Sequence, residues 1–163
     1  MTLERDQAEA TVHAYAVGLR ARDRDAWISL FADDAVVEDP VPSEPHVGRA
    51  ALERFWEGVM SIAPEVHMEV GDVHVCGDEV AASFEMTLSS PTRQAKVRGI
   101  QLLRLDGDAS IVSSKSYWEP SSVVVVEQGG GAGGSPEAAG DDGAGTGGPG
   151  ENPRRRKFGR RRT

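Results

Sequence analysis

Along the first stretch of the chain, Val12, Tyr15, Ala16 and Leu19 recur at i, i+3, i+4 and i+7. That spacing lines one side of a helix, so a helix is predicted from Leu3 to Arg22. The charged run Arg22-Asp23-Arg24-Asp25 breaks the pattern, and Ala26-Trp27-Ile28-Ser29-Leu30-Phe31 reads as a short second helix. In the run that follows, Ala35, Val37 and Asp39 alternate with other residues. An extended strand places all three on one face. Pro40, Pro42 and Pro45 then mark the segment up to Val47 as a surface connection. After Gly48, the apolar set Ala51, Leu52, Phe55, Trp56 and Val59 predicts a third helix, stopped at Ala63-Pro64.

Beyond Pro64 the period changes to two. Val80, Ala82, Phe84, Met86 and Leu88 alternate with Ser83, Glu85 and Thr87, as a strand wet on one side requires. Val66, Met68 and Val70 give way to Val73 and Val75, a change of phase at Gly71-Asp72 that a bulge would produce. Residues 95–105 and 110–119 supply two more strands, joined by the turn-forming Asp106-Gly107-Asp108. Helices first and an antiparallel meander afterwards imply an α+β fold. Three helices would pack on one face of a curved, mostly antiparallel sheet, giving a cone-shaped roll around an apolar pocket.

Composition divides the chain near Val126. Residues 1–126 carry 21 acidic and 11 basic side chains, whereas residues 127–163 carry 5 acidic and 7 basic ones. The expected domains are therefore an acidic folded part, 1–126, and a Gly-rich tail, 127–163, too poor in apolar residues to fold and closing on a basic cluster. An acidic surface repels phosphate backbones, so nucleic acid is not an expected partner of the folded part; the basic tail leaves that open for itself. The tail's glycines lack the spacing and the strand-turn-helix context of a phosphate loop.

No apolar run approaches the roughly 20 residues of a membrane span. The N-terminus lacks the pattern of a signal peptide, and the single cysteine, Cys76, permits no intramolecular disulfide. A cytoplasmic location is the expectation, with Cys76 a small apolar strand residue. His13, His46, His67 and His74 are scattered without motif spacing, so no metal and no cofactor is expected. His67 and Glu69 share a strand face, but two candidate ligands do not make a site.

Asp39 is a charge on an otherwise apolar strand face, and Pro40 biases it toward an extended backbone. A carboxylate fixed against an apolar wall is how a weak base acquires a raised pKa. The same Asp-Pro pair is also a common turn initiator, and locally both readings stand. Tyr15, on the apolar face of the first helix, and Gln101, sharing parity with Val97, Gly99, Leu103 and Leu105, could be aimed at the same cavity. Taken singly, Tyr15 reads first as a core tyrosine and Gln101 as a hydrogen-bonded strand amide. Together, a carboxylate base and hydrogen-bond donors suit proton abstraction beside a carbonyl: the base takes the proton and the donors steady the enolate oxygen.

The string Leu30-Phe31-Ala32-Asp33-Asp34-Ala35-Val36-Val37-Glu38-Asp39-Pro40-Val41-Pro42-Ser43-Glu44-Pro45, continuing through Gly48 to Phe55-Trp56, resembles the bacterial ketosteroid isomerases. These are cone-fold proteins of the nuclear-transport-factor-2-like, SnoaL-like superfamily. The resemblance covers about residues 8–120 and implies a steroid delta-isomerase acting on a β,γ-unsaturated 3-oxo steroid or similar apolar ketone. It makes Asp39 the general base and Tyr15 the oxyanion tyrosine, a scheme that is itself a standard worked case, with a homodimer formed through the outer sheet face. Phe55, Trp56, Phe84, Met86 and Trp118 are the expected substrate-binding side chains.

Two departures stand out. Gln101 occupies the position of the family's protonated aspartic acid, so a weaker donor replaces a carboxylic acid. Trp56 stands where several relatives carry a supporting tyrosine. A slower isomerase is expected, the alternatives being a steroid- or polyketide-binding module without turnover, or a polyketide-cyclase-like enzyme. The Asp-Arg-Asp set of cone-fold epoxide hydrolases is incomplete, with Arg98 present but Gln101 and Ser116 in place of carboxylates.

Overall fold

The computed structural model describes residues 3–127, all within one contact-defined unit, Met1–Gly130. The 128–163 part of the tail expected from the sequence lies outside the described residues. Helix α1 spans Arg5–Ala21, and its first turn is closed by a capping box between Glu4 and Gln7. Helix α2, Arg24–Ile28, is capped by the Asp23 carboxylate, which accepts from the Ala26 backbone N–H at 2.9 Å. Phe31 belongs to strand β1, Phe31–Glu38, rather than to the second helix. Its pairing with Ile111 draws it out of the helical path.

The Pro-rich connection carries a two-residue strand, β2, His46–Val47, paired antiparallel with Val37 and Val36 of β1. Gly48, at φ 77°, then reverses the chain into α3, Arg49–Ile62. Strands β3 (Glu65–Cys76), β4 (Glu79–Ser89), β5 (Arg93–Leu105) and β6 (Ile111–Tyr117) form the meander, and β7 is Val124–Glu127. The sheet runs in the order β2-β1-β6-β5-β4-β3, all antiparallel except for the parallel β1–β6 pair. Strands β6 and β7 divide the free edge of β5, β6 taking Ile100 to Leu105 and β7 taking Arg93 to Lys96.

The phase change expected at Gly71-Asp72 is a register shift between Val70 and Val73. It bends the long β3–β4 hairpin over the helices, in keeping with the α+β cone architecture. The concave side holds the core: Val12, Leu19, Leu52, Val80, Val97 and Leu103 are buried there around Trp27. Trp27 is the hub of an aromatic cluster, with ring centroids 4.6 Å from Phe31, 5.2 Å from Tyr15 and 5.3 Å from Trp56. On β5 the parity argument holds without ambiguity: Gln101 is 1% exposed, while Ile100 and Leu102 face outward at 52% and 41%. Cys76, expected as an apolar strand residue, is instead exposed at the turn between β3 and β4. No described helix is long and apolar enough to cross a membrane.

Candidate active site

Tyr15, Asp39 and Gln101 come from α1, the end of β1 and the middle of β5, and they line one cleft. Its walls are Leu19, Phe55, Val59, Met68, Phe84 and Met86, with Ser116 beside Gln101. The volume of the cleft is about 40 Å³, room for no more than a few water molecules. Three polar groups therefore converge on a tight, otherwise apolar space.

Asp39 follows the last residue of β1, and the chain leaving it is tied down by the Val41 N–H donating to the Ser116 carbonyl at 2.9 Å. The carboxylate itself accepts a 2.6 Å hydrogen bond from the Trp118 indole N–H. Burial pushes the pKa of Asp39 above the usual carboxylate range, against the pull of Trp118, Ser116 and the charge of His46. Desolvation wins, and Asp39 is a stronger base than an exposed aspartate.

Tyr15 is buried, and burial together with the nearby Asp39 charge raises its pKa, while the Gln101 amide works in the opposite direction. The side chain is therefore a neutral phenol, a donor at any physiological pH. Gln101 Nε2 donates to Ser114 Oγ at 3.1 Å. Its carbonyl oxygen, Oε1, is buried without a partner among the described residues. One N–H of the amide expected to face a ligand is thus engaged within the protein, because β6 places Ser114 and Ser116 beside it through the Leu103–Ser114 and Gln101–Ser116 pairings.

Of the expected substrate-binding residues, Phe55, Phe84 and Met86 line the cleft. Trp56 does not: it is buried behind the cleft against Trp27. Trp118 does not line it either, since its indole is turned onto Asp39. Leu19, Val59, Met68 and Ser116 were not anticipated. Leu19 and Val59 could have been, since each sits one helical turn after a recognised residue, Tyr15 or Phe55. Met68 and Ser116 depend on register, Met68 opposite Met86 and Ser116 opposite Gln101. His46, from β2, packs on Phe55 with centroids 4.9 Å apart and the rings tilted by 48°. Among the described residues, no group of three or more His, Cys, Asp or Glu is arranged to hold a metal ion; His67 and Glu69 form an exposed pair at 3.3 Å.

A bent sheet closed by helices over a polar-ended apolar cleft defines a cone-fold protein. The model of the SnoaL-like domain matches residues 12–114, and the chain belongs to that family. The chain is 32% identical over 117 residues to the steroid delta-isomerase of Nocardioides simplex, covering 72% of this chain and 94% of that protein. Among solved structures, the ketosteroid isomerase of a Mycobacterium species superposes with a TM-score of 0.68 at 23% identity, over 74% of this chain and 98% of that one. The epoxide hydrolase/cyclase-like enzyme SalBIII, of pyran ring formation in polyether salinomycin, gives 0.69 at 23% identity, over 76% and 98%. These structural likenesses concern the fold.

Proposed function

We propose that this protein is a steroid delta-isomerase-like enzyme that moves a proton within a β,γ-unsaturated 3-oxo steroid or a similar apolar ketone. The observation that carries this reading is the convergence of Asp39, with its raised pKa, and the neutral Tyr15 phenol on one apolar cleft. The isomerase relative at 32% identity supports it.

Asp39 takes the proton from the carbon between the carbonyl and the double bond. The C–H electron pair forms a new C=C bond while the carbonyl electrons move onto oxygen, and Tyr15 donates a hydrogen bond to that oxygen. Asp39 then returns the same proton to the γ carbon as the carbonyl re-forms, leaving a conjugated enone. Trp118 and Ser116 hold the carboxylate in place for both transfers, and Gln101 supports Tyr15.

A four-ring ligand exceeds the 40 Å³ cleft, so its entry requires the half-buried side chains Phe55, Val59 and Met86 to swing outward. The exposed Ile100, Leu102 and Tyr117 on the outer sheet face are the surface through which two copies pair. The engagement of the Gln101 amide with Ser114 favours, as a second reading, a module that binds the ketone without turning it over.

Absorbance of the conjugated enone tests the first reading directly. Turnover by wild type should fall at least about a hundredfold in Asp39→Asn, as loss of a general base requires, and on the order of a hundredfold or more in Tyr15→Phe. Tight binding of the ketone by wild type without any absorbance change would replace the isomerase by the binding module.

A further inference from the structure

We infer that the side of the cleft lined by Tyr15 and Gln101 is a hydroxyl-recognising subsite, in which Gln101 Oε1 accepts a hydrogen bond from the ligand while Tyr15 donates one to it. The inference rests on the reading that the cleft takes an apolar ligand with its polar end at Tyr15, and it specifies the chemistry of that end.

Gln101 is 1% exposed, lines the cleft, and has its nitrogen bound to Ser114 Oγ at 3.1 Å, yet Oε1 has no hydrogen-bond partner among the described residues. A buried acceptor left unmade is costly, and a donor arriving in the cleft satisfies it. Tyr15 cannot serve both sides, because its single hydroxyl hydrogen is the donor for the ligand. The Gln101 amide also lies beside Tyr15, where it eases ionisation of the phenol, and one of its two N–H groups is spent on Ser114.

A ketone oxygen only accepts hydrogen bonds. It satisfies Tyr15 and leaves Oε1 orphaned. A hydroxyl does both: its oxygen accepts from Tyr15 and its hydrogen goes to Oε1. A phenol or enol suits the site better than an alcohol, since its more acidic hydrogen makes the stronger bond to an amide carbonyl. The aspartic acid that the sequence resemblance leads one to expect at this position would be a donor, so Gln101 inverts the polarity of this side of the subsite.

The test uses the full chain and two steroid probes of closely related skeleton, the phenol estrone and the hydroxyl-free enone estr-4-ene-3,17-dione, titrated by calorimetry into wild type and into Gln101→Met. Methionine keeps the length of the side chain and removes the acceptor. Wild type should bind estrone about tenfold more tightly than the dione, the range set by one unmade bond to a buried acceptor. In Gln101→Met that preference should shrink to within about twofold, with estrone bearing the loss.

Equal or tighter binding of estr-4-ene-3,17-dione by wild type would overturn the inference, as would an unchanged preference in a folded Gln101→Met. If Gln101→Met does not fold by circular dichroism, the wild-type ratio decides alone. Binding of neither steroid by folded wild type would instead overturn the proposed function on which the inference rests.

Discussion

Trp118 donates its indole N–H to Asp39 Oδ1 at 2.6 Å, across 79 residues of sequence. The bond fixes the orientation of the carboxylate and partly offsets the cost of its burial. Charge-assisted bonds of this length are among the stronger ones available to a side chain, so the indole is a positioning group for the base.

Removing that bond should therefore move the pH profile. In Trp118→Phe, desolvation acts on Asp39 with less opposition, and its pKa rises further. A base works when deprotonated, so kcat/KM falls as the pH drops through the pKa of Asp39, and that acid limb should lie at higher pH in the variant than in wild type. A limb that stays in place would show that Trp118 packs without tuning the base.

Asp39 should also cost stability. Its folded pKa lies above the unfolded one, ordinarily 3.8, so the folded chain binds the proton more tightly. Stability then declines as the pH rises from 3.8 through the raised folded value, and the full penalty is present at neutral pH. Asp39→Asn carries no such charge. Its thermal midpoint should exceed that of wild type by a few degrees at neutral pH, with the gain vanishing under acid conditions where both states are protonated, as scanning calorimetry would show.

Gln101→Asp should raise the isomerisation rate constant for a ketone. An aspartic acid buried beside the Asp39 charge is held neutral, and as a neutral acid it donates to the carbonyl oxygen where Gln101 Oε1 cannot. Removing an oxyanion donor altogether costs roughly 2.7 to 4 kcal/mol, so the gain should be a fraction of that, on the order of tenfold. A correctly folded variant with an unchanged or lower rate constant would refute this role.

Leu102→Asp should convert a dimer into a monomer in sedimentation velocity. Leu102 sits on the outer sheet face with Ile100 and Tyr117, and a two-fold interface would bring each copy's charge against the other's apolar patch. Because the side chain points away from the cleft, binding by each folded monomer should persist.

Much of this molecule is legible in one dimension. The period of α1 delivers Tyr15 to the core, and the alternation of β5 delivers Gln101 to the inner face, because both periods are local properties of the backbone. Two short strands escaped for the opposite reason. β2 has only two residues and exists through its register with Val36 and Val37, while all four residues of β7 are exposed and so show no alternation.

The sequence by itself determined the α+β order of elements, the bulge at Gly71-Asp72 and the three polar residues singled out from the apolar faces. Only the tertiary structure decided what each one touches. The parallel pairing of β1 with β6 brings the chain after Asp39 against Ser116 and Trp118, and the β5–β6 register gives the Gln101 nitrogen to Ser114. Periodicity specifies the face on which a side chain lies, whereas hydrogen-bond partners depend on the relative registry of strands far apart in the chain, which no local pattern encodes.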